Sequence, residues 1–267
     1  MTSPRPHWVE MTTHDIPDHP DDWVAVVPTA AIEQHGPHLP IGTDSLIAEG
    51  MVKTVLERLP ADIPATFLPV QTVGKSNEHI DYRGTITLTW ETAIRAWIEI
   101  GESIARAGVR RIVFANSHGG NIALLDVVTR ELRVRFDMLA VHANWMRFGD
   151  ADLIGEEERA IGIHGGTLET ALIRHFRPEL VREEAARAFP SAQSRYSAEF
   201  RQLVAHGRQP FAWKAQDLSP DGVVGDARVG NAALGRRLAE HQADAFIDLL
   251  RDVTRADLAI LLGTRPR

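Results

Sequence analysis

The chain has 267 residues, 44% of them hydrophobic and 24% charged, and no cysteine, which gives material for one substantial core and excludes disulfides, thiolate ligands and thiol nucleophiles. Its 29 Lys and Arg against 36 Asp and Glu leave a net charge of −7, and no basic stripe interleaved with aromatics occurs, so nucleic acid is excluded as a partner class. No apolar run approaches a membrane span and the polar N-terminus carries no signal-peptide core, so no membrane partner is expected and a cytoplasmic location follows by default.

No linker, low-complexity tract or fixed-period repeat divides the chain, and a single domain over residues 1–267 is expected, with residues 1–20 as an extended arm. Trp23–Thr29 (WVAVVPT) is nearly continuous in apolar residues and predicts a buried strand. A helix follows over Ser45–Leu59 and stops before Pro60; Ala65–Thr72 predicts a second strand. Thr92–Ala107 predicts a helix with Gly108 as its C-terminal cap, and Arg106, Arg110 and Arg111 then read as a solvated helix end. Arg111–Asn116 is the third strand, Asn121–Phe136 the next helix, and Met138–Ala143 the fourth strand. Thr167–Phe176 predicts a helix stopped by Pro178, and Ala232–Ala256 a long one whose apolar stripe is interrupted at Gln242. Unpatterned strands alternating with helices predict an α/β fold with a mainly parallel central sheet flanked by helices. In such sheets ligands bind outside the carboxyl ends of the strands, so chemistry-bearing residues are sought there.

Two clusters answer that search, and a third lies farther along the chain. After the first strand come Glu33, His35 and Asp44, in a loop opened by Gly36, Pro37, Pro40 and Gly42. Alternation in an extended stretch lets Glu33 and His35 share a face. Asp44, at the start of the next helix, is either a helix cap or a carboxylate with two oxygens free to bridge two cations. After the third strand comes Asn116-Ser117-His118-Gly119-Gly120-Asn121, which reads as a ligating histidine or as an anion-binding turn. The third cluster is His164-Gly165-Gly166-Thr167-Leu168-Glu169, with Glu169 in the first turn of a helix, where a carboxylate also suits the helix dipole. Two His and three carboxylates without Cys suit Zn, Mn or Fe, and five ligands exceed what one catalytic zinc with an open position takes. Two cations about 3.5–4 Å apart, sharing one carboxylate, fit the set better and would hydrolyse an amide without a Ser or Cys nucleophile.

These residues resemble the creatininase family, whose members cut amides in small molecules or process small peptides. The likeness rests on Glu33-x-His35-Gly36-Pro37-His38-Leu39-Pro40 with Asp44, on Asn116-x-His118-Gly119-Gly120-Asn121, on His164-x-Gly166-x-x-Glu169-Thr170, on Gly222-Val223-x-Gly225-Asp226, and on the Glu78-His79 loop ending at Gly84-Thr85. The blocks are in family order and span most of the chain. The resemblance implies two divalent metal ions per chain, one held by Glu33, Asp44 and His118, the other by His35, Asp44 and a glutamate. Creatininase proper has that glutamate at the position of Gly120; the wider family has it at Glu169, to which the role is carried. His164 resembles the histidine that handles the proton of the leaving nitrogen, and a homo-oligomer, often a hexamer, is implied as well. Glu78, His79, Gly119 and Gly120 are expected against a small-molecule amide substrate, together with Trp145 as an aromatic flap; Trp145 also reads as a tryptophan at the edge of the core.

The expected function is hydrolysis of a non-peptide C–N bond, in a cyclic amide, lactam or formamide, by a hydroxide held between the metals. Gly120, and Tyr82-Arg83 in place of a Phe-Pro pair, argue against creatinine itself. A peptide-processing peptidase of the same family and a non-catalytic metal-binding module are the alternatives. Residues 190–220 carry Tyr196, Phe200, Phe211 and Trp213, which suit either a pocket wall or a subunit contact.

Overall fold

The computed structural model describes residues 3–150, 152–207 and 209–259. β1 (Val24–Thr29) is buried along its whole length and pairs in parallel with two neighbours, β2 (Ala65–Phe67) and β3 (Arg111–Asn116). β4 (Leu139–Asn144) completes a four-stranded parallel sheet in the order β2-β1-β3-β4. Helix α1 (Thr43–Arg58) links β1 to β2, α2 (Trp90–Arg106) precedes β3, and α3 (Ile122–Phe136) links β3 to β4. Beyond the sheet follow α4 (Glu156–Ile161) and α5 (Thr167–Phe176), then β5 (Ala188–Phe189), α6 (Ala192–Glu199) and α7 (Ala215–Leu218). β6 (Gly225–Asp226), antiparallel to β5, and the long α8 (Ala232–Arg255) close the chain.

Each central strand divides its side chains between two cores, which is why the sequence shows no alternation. Val24, Val26, Val113 and Ala115 face a layer of α1, α5 and α8, including Met51, Leu172, Phe246 and Leu250. Ala25, Val27, Ile112 and Phe114 face α2 and α3, including Trp97, Leu125 and Leu132. Fully burying side chains such as Phe114, Trp97 or Phe246 stabilises by about 1.5–3 kcal/mol each relative to exposure. The N-terminal segment runs along the β2 edge: Phe67 N–H donates to the Pro6 carbonyl at 2.8 Å, and Trp8, Met11 and Ile16 pack on the second core. That contact covers an edge otherwise open to pairing. Among the described residues no helix is long and apolar enough to cross a membrane.

Three expectations are corrected. The second strand ends at Phe67 rather than Thr72 and resumes only as a bridge between Gln71 and Thr29, because Pro69 has no N–H to give the ladder. Arg111 is no solvated helix end: it is 6% exposed on β3 and donates to the carbonyls of Val253 and Ala256, each at 3.0 Å, and of Asp21. Gln242 does not break the α8 face but is buried in it, donating to the Gly149 carbonyl at 3.2 Å. Gly108 takes φ +89° just past α2, as its capping role requires.

Candidate metal centre

The chain leaves β1 for α1 on one face of the sheet and leaves β3 for α3 on the other, so the carboxyl ends of these adjacent strands open a crevice. The loop after β1 supplies Glu33 and His35, the first turn of α1 supplies Asp44, and the turn after β3 supplies His118. His164 arrives on the segment before α5, held by Val224 N–H donating to its carbonyl at 2.9 Å, and Glu169 projects from the first turn of α5.

The five residues converge. Glu33 Oε1 lies 3.3 Å from His118 Nδ1, and Asp44 Oδ2 lies 3.2 Å from the same nitrogen. Asp44 Oδ1 lies 3.6 Å from His35 Nε2, and Glu169 Oε2 lies 3.7 Å from it. Asp44 therefore turns one oxygen to each histidine. Glu33, His35, Asp44 and His118 are buried, while Glu169 keeps 15% of its side chain exposed. His118 Nε2–H donates to the Lys75 carbonyl at 3.0 Å and His35 Nδ1–H to the Glu33 carbonyl at 3.2 Å, so each ring turns its other nitrogen, the one a cation would take, inward.

The electrostatics follow from packing acids and imidazoles together out of water. Burial by itself would raise the Glu33 carboxyl; charge on His118 and its hydrogen bond hold it well below the usual carboxylate range. Burial opposes a proton on His35, yet Asp44, Glu169 and Glu33 raise it to about 9. Burial opposes charge on His118 too, and Glu33 and Asp44 lift it well above the ordinary imidazole value. His164 and His79 go the other way, lowered first by burial and then by neighbouring imidazoles, His79 to about 2.

Whether these residues suit a cation is tested by atoms with nothing to bond. His35 Nε2 and Asp44 Oδ2 are buried without a hydrogen-bond partner, a condition that costs about 1–3 kcal/mol per group if nothing fills the space between them. Three overlapping trios, Glu33-His35-Asp44, His35-His164-Glu169 and Glu33-His79-His164, each bring one ligand atom per residue within 4.8 Å of the others. Imidazole and carboxylate donors without sulfur suit Zn²⁺, Mn²⁺ or Fe²⁺. The set fits.

Glu33, Asp44, His118 and Glu169 form the floor of a cavity of about 700 Å³, lined also by Lys75, Glu78, His79, Gly119 and Gly120. Its far wall is apolar: Ile163, Ala205, Pro210, Phe211 and Trp213. Trp213 is fixed there by its Nε1–H, which donates to the Ala205 carbonyl at 2.8 Å, so this part of residues 190–220 lines the pocket. Trp145 does not reach it; it is 3% exposed in the core and packs on Phe246 at 4.7 Å between ring centroids. Its rigid indole fills the sheet–α8 interface, so the expected flap role is corrected to a core one. At Gly120 a side chain would overlap Glu78 Oε1, His118 Nε2 and the Lys75 carbonyl. Glu78 occupies that space but faces the back nitrogen of His118, at 3.6 Å, whereas Glu169 faces the inward nitrogen of His35. A second cavity, near 620 Å³ around α4, β5 and β6, has its Glu158 carboxylate already committed to Thr167 N–H at 2.6 Å and Asp226 N–H at 2.8 Å.

Sequence reasoning missed three supports. Ser76 Oγ–H donates to Glu33 Oε2, and buried Asn116 and Asn121 bind each other at 3.1 Å while Asn121 donates to the Ala30 carbonyl at 3.0 Å. Gln34 contacts His79 and His164. Polar residues placed among the motif residues were the available signal for all of them.

A model of the creatininase family, described as creatinine amidohydrolase, matches residues 9–250. A mycofactocin precursor peptide peptidase of Mycobacterium ulcerans is 32% identical over 244 residues, 88% of each chain. A creatinine amidohydrolase of Pseudomonas putida is 31% identical over 173 residues, 60% of this chain and 66% of that one. Among solved structures, a creatininase described with Mn superposes with a TM-score of 0.73 at 24% identity, covering 96% of this chain and 100% of that one. A mutant creatininase of Zn–Zn type superposes with a TM-score of 0.68 at 24% identity, covering 88% and 92%. With the family model spanning most of its length and a relative above 30% identity covered to 88%, the chain belongs to the creatininase family.

Proposed function

We propose that the chain is a metal-dependent amidohydrolase that cuts an amide bond near the end of a short peptide. The observation that carries the hydrolase reading is the convergence of Glu33, His35, Asp44, His118 and Glu169, with His35 Nε2 and Asp44 Oδ2 unpartnered, where all but His35 line an open cavity. Glu33, Asp44 and His118 would hold one divalent cation; His35, Asp44 and Glu169 would hold the other. When bound, the pair supplies a water acidic enough to attack near neutral pH and a Lewis-acid grip on the carbonyl oxygen.

The chain's own groups do the rest. His164 Nε2–H is committed to the Gln34 carbonyl at 2.8 Å, so its Nδ1 is the atom that can carry a proton to the departing nitrogen. Burial keeps that imidazole neutral and receptive. Phe211 and Trp213 exclude water and seat an apolar flank of the substrate. Lys75, paired with Glu78 at 2.9 Å, is the ammonium lining the same cavity.

A peptide end is favoured over a small ring by size, since about 700 Å³ is room for a drug-sized ligand. The peptidase named among the relatives points the same way. The second reading, a cyclic amide, lactam or formamide, draws on the relative from Pseudomonas putida. The test is a panel of short peptides, lactams and formamides given to protein loaded with Zn²⁺, Mn²⁺ or Fe²⁺, with products followed by mass spectrometry. Release of a peptide fragment is expected. Turnover confined to lactams or formamides selects the second reading, and no turnover of any amide by metal-loaded protein overturns the hydrolase assignment.

A further inference from the structure

Four histidines of this region have their proton placed by a backbone carbonyl: His35 by Glu33, His38 by Gly165, His118 by Lys75 and His164 by Gln34. A carbonyl only accepts, so each of those ring nitrogens must carry a hydrogen. His79 is different. Its hydrogen-bonded nitrogen, Nδ1, meets a side chain, Gln34 Nε2, at 2.8 Å.

The Gln34 amide is oriented without ambiguity. Its Oε1 faces Gly36 N–H at 2.9 Å, which can only donate, and its Nε2 faces the Gly222 carbonyl at 2.6 Å, which can only accept. One amide hydrogen goes to Gly222, and the second is left for His79 Nδ1. That nitrogen must accept, and the His79 proton must lie on Nε2, directed at Glu33 Oε1 3.7 Å away. The 3.3 Å contact from Gln34 Nε2 to His164 Nε2 adds nothing, since two donors meet there and His164 Nε2–H is already given to the Gln34 carbonyl. Gln34 is 5% exposed, its backbone N–H goes to Thr85 Oγ1 at 3.2 Å, and a side chain at Gly222 would overlap its amide. Four segments therefore meet on one residue.

We infer that Gln34 is a positioning residue that gives two adjacent imidazoles, His79 and His164, opposite faces toward one cavity: an N–H from His79 and a bare nitrogen from His164. Their ring centroids are 4.3 Å apart. With both rings of one kind, the cavity would hold two donors or two acceptors beside Glu33. The division supplies a neutral hydrogen-bond donor beside a proton carrier, which amide hydrolysis needs at a carbonyl oxygen and a departing nitrogen respectively. The inference rests on the amidohydrolase reading for its purpose but not for its geometry.

Gln34→Glu keeps shape and the Gly36 contact but can donate neither to His79 nor to the Gly222 carbonyl. In metal-loaded protein labelled with ¹⁵N-histidine, ring shifts of the wild type are expected to place the His79 proton on Nε2. In Gln34→Glu it is expected on Nδ1, donating to the new carboxylate. On whichever amide the wild type cleaves, kcat is expected to fall about tenfold or more, with KM and metal per chain unchanged. Added to His79→Ala, Gln34→Glu is expected to cost no more than about twofold further, because the two act through one contact. A wild-type His79 protonated on Nδ1 overturns the inference whatever the enzyme cleaves, as do fully multiplicative losses in the double variant. Absence of amide turnover removes the function proposed above and leaves the ring shifts to decide this one.

Discussion

Replacing His38 by glutamine is expected to flatten the acid branch of the stability curve, and the size of the effect can be worked from the structure. His38 is fully buried in the loop after β1, its ring stacked on Phe189 at 5.1 Å between centroids. Nε2–H donates to the Gly165 carbonyl at 3.0 Å, while Nδ1 is buried with no partner. Protonating Nδ1 would place an unpaired N–H against apolar surface, and burial, reinforced by charge on His35, pushes the imidazole down to about 4 although the Gly165 contact opposes this. The unfolded chain, near 6.5, then binds more protons than the folded one between pH 6.5 and 4. Stability is present above that window and lost as pH falls through it. At about 1.4 kcal/mol for each tenfold difference in proton affinity between the unfolded and folded chain, the loss attributable to His38 between pH 7 and pH 4 is about 3 kcal/mol. His38→Gln keeps a donor for Gly165 but does not titrate. Urea unfolding across this range should show the wild-type protein losing about 3 kcal/mol more than the variant. Parallel curves for the two proteins would refute the argument.

Asp44→Ala is expected to empty both metal positions together, because one carboxylate faces His35 and His118 at once; elemental analysis finding two metals per chain in the variant would sink the shared role. Gly120→Ala is expected to weaken metal binding about 10–100-fold, since the new methyl overlaps the Lys75 carbonyl that orients His118; competition with a chelator measures it, and an unchanged affinity contradicts it. Metal loading at about pH 7.5 is expected to release protons, because His35, raised to about 9, and His118 hold theirs in the metal-free protein. Affinity should then climb as pH rises toward 9, and calorimetry in buffers of different ionisation enthalpy should give different heats; identical heats would count against protonated ligands.

What the sequence disclosed depended on whether a residue's surroundings were local. β3 and α5 have the boundaries expected of them, because continuous apolar content and Pro178 are local signals. Glu33, His35, Asp44 and His118 were legible because they follow strands or open the helix after one, positions that the parallel-sheet rule sends to one edge. Glu169 opens a helix that no sheet strand directly precedes, and its role rests on the family resemblance. The short helices α6 and α7 were not legible. Ala192–Glu199 is polar with only Gln193 buried, so it has no stripe to read. Arg111 looked solvated because its partners, the carbonyls of Val253 and Ala256, lie more than 140 residues away. Gln34 was hidden by alternation: between two inward-facing neighbours it should point away, but the turn at Gly36, with φ +68°, folds the loop so that its amide meets Gly222. Trp145 could be read as flap or core, and only the position of Phe246 decides.

The site is built from loops although the fold has rigid strands beneath it, and the hydrogen bonds explain how loops can be rigid enough. Glu33 is held by Ser76, His118 by Lys75, Asn121 by Ala30 and His164 by Gln34, so each loop is tied through a polar contact to a different loop. A hydrophobic contact could not replace these ties, since it fixes neither which nitrogen of a ring is bare nor which oxygen of a carboxylate is free. Such networks specify one arrangement only when every member is satisfied. Here His35 Nε2 and Asp44 Oδ2 are the members left over, and they face the position where cations would stand. The protein's folding alone therefore leaves this network incomplete at its centre, and a bound cation would complete it.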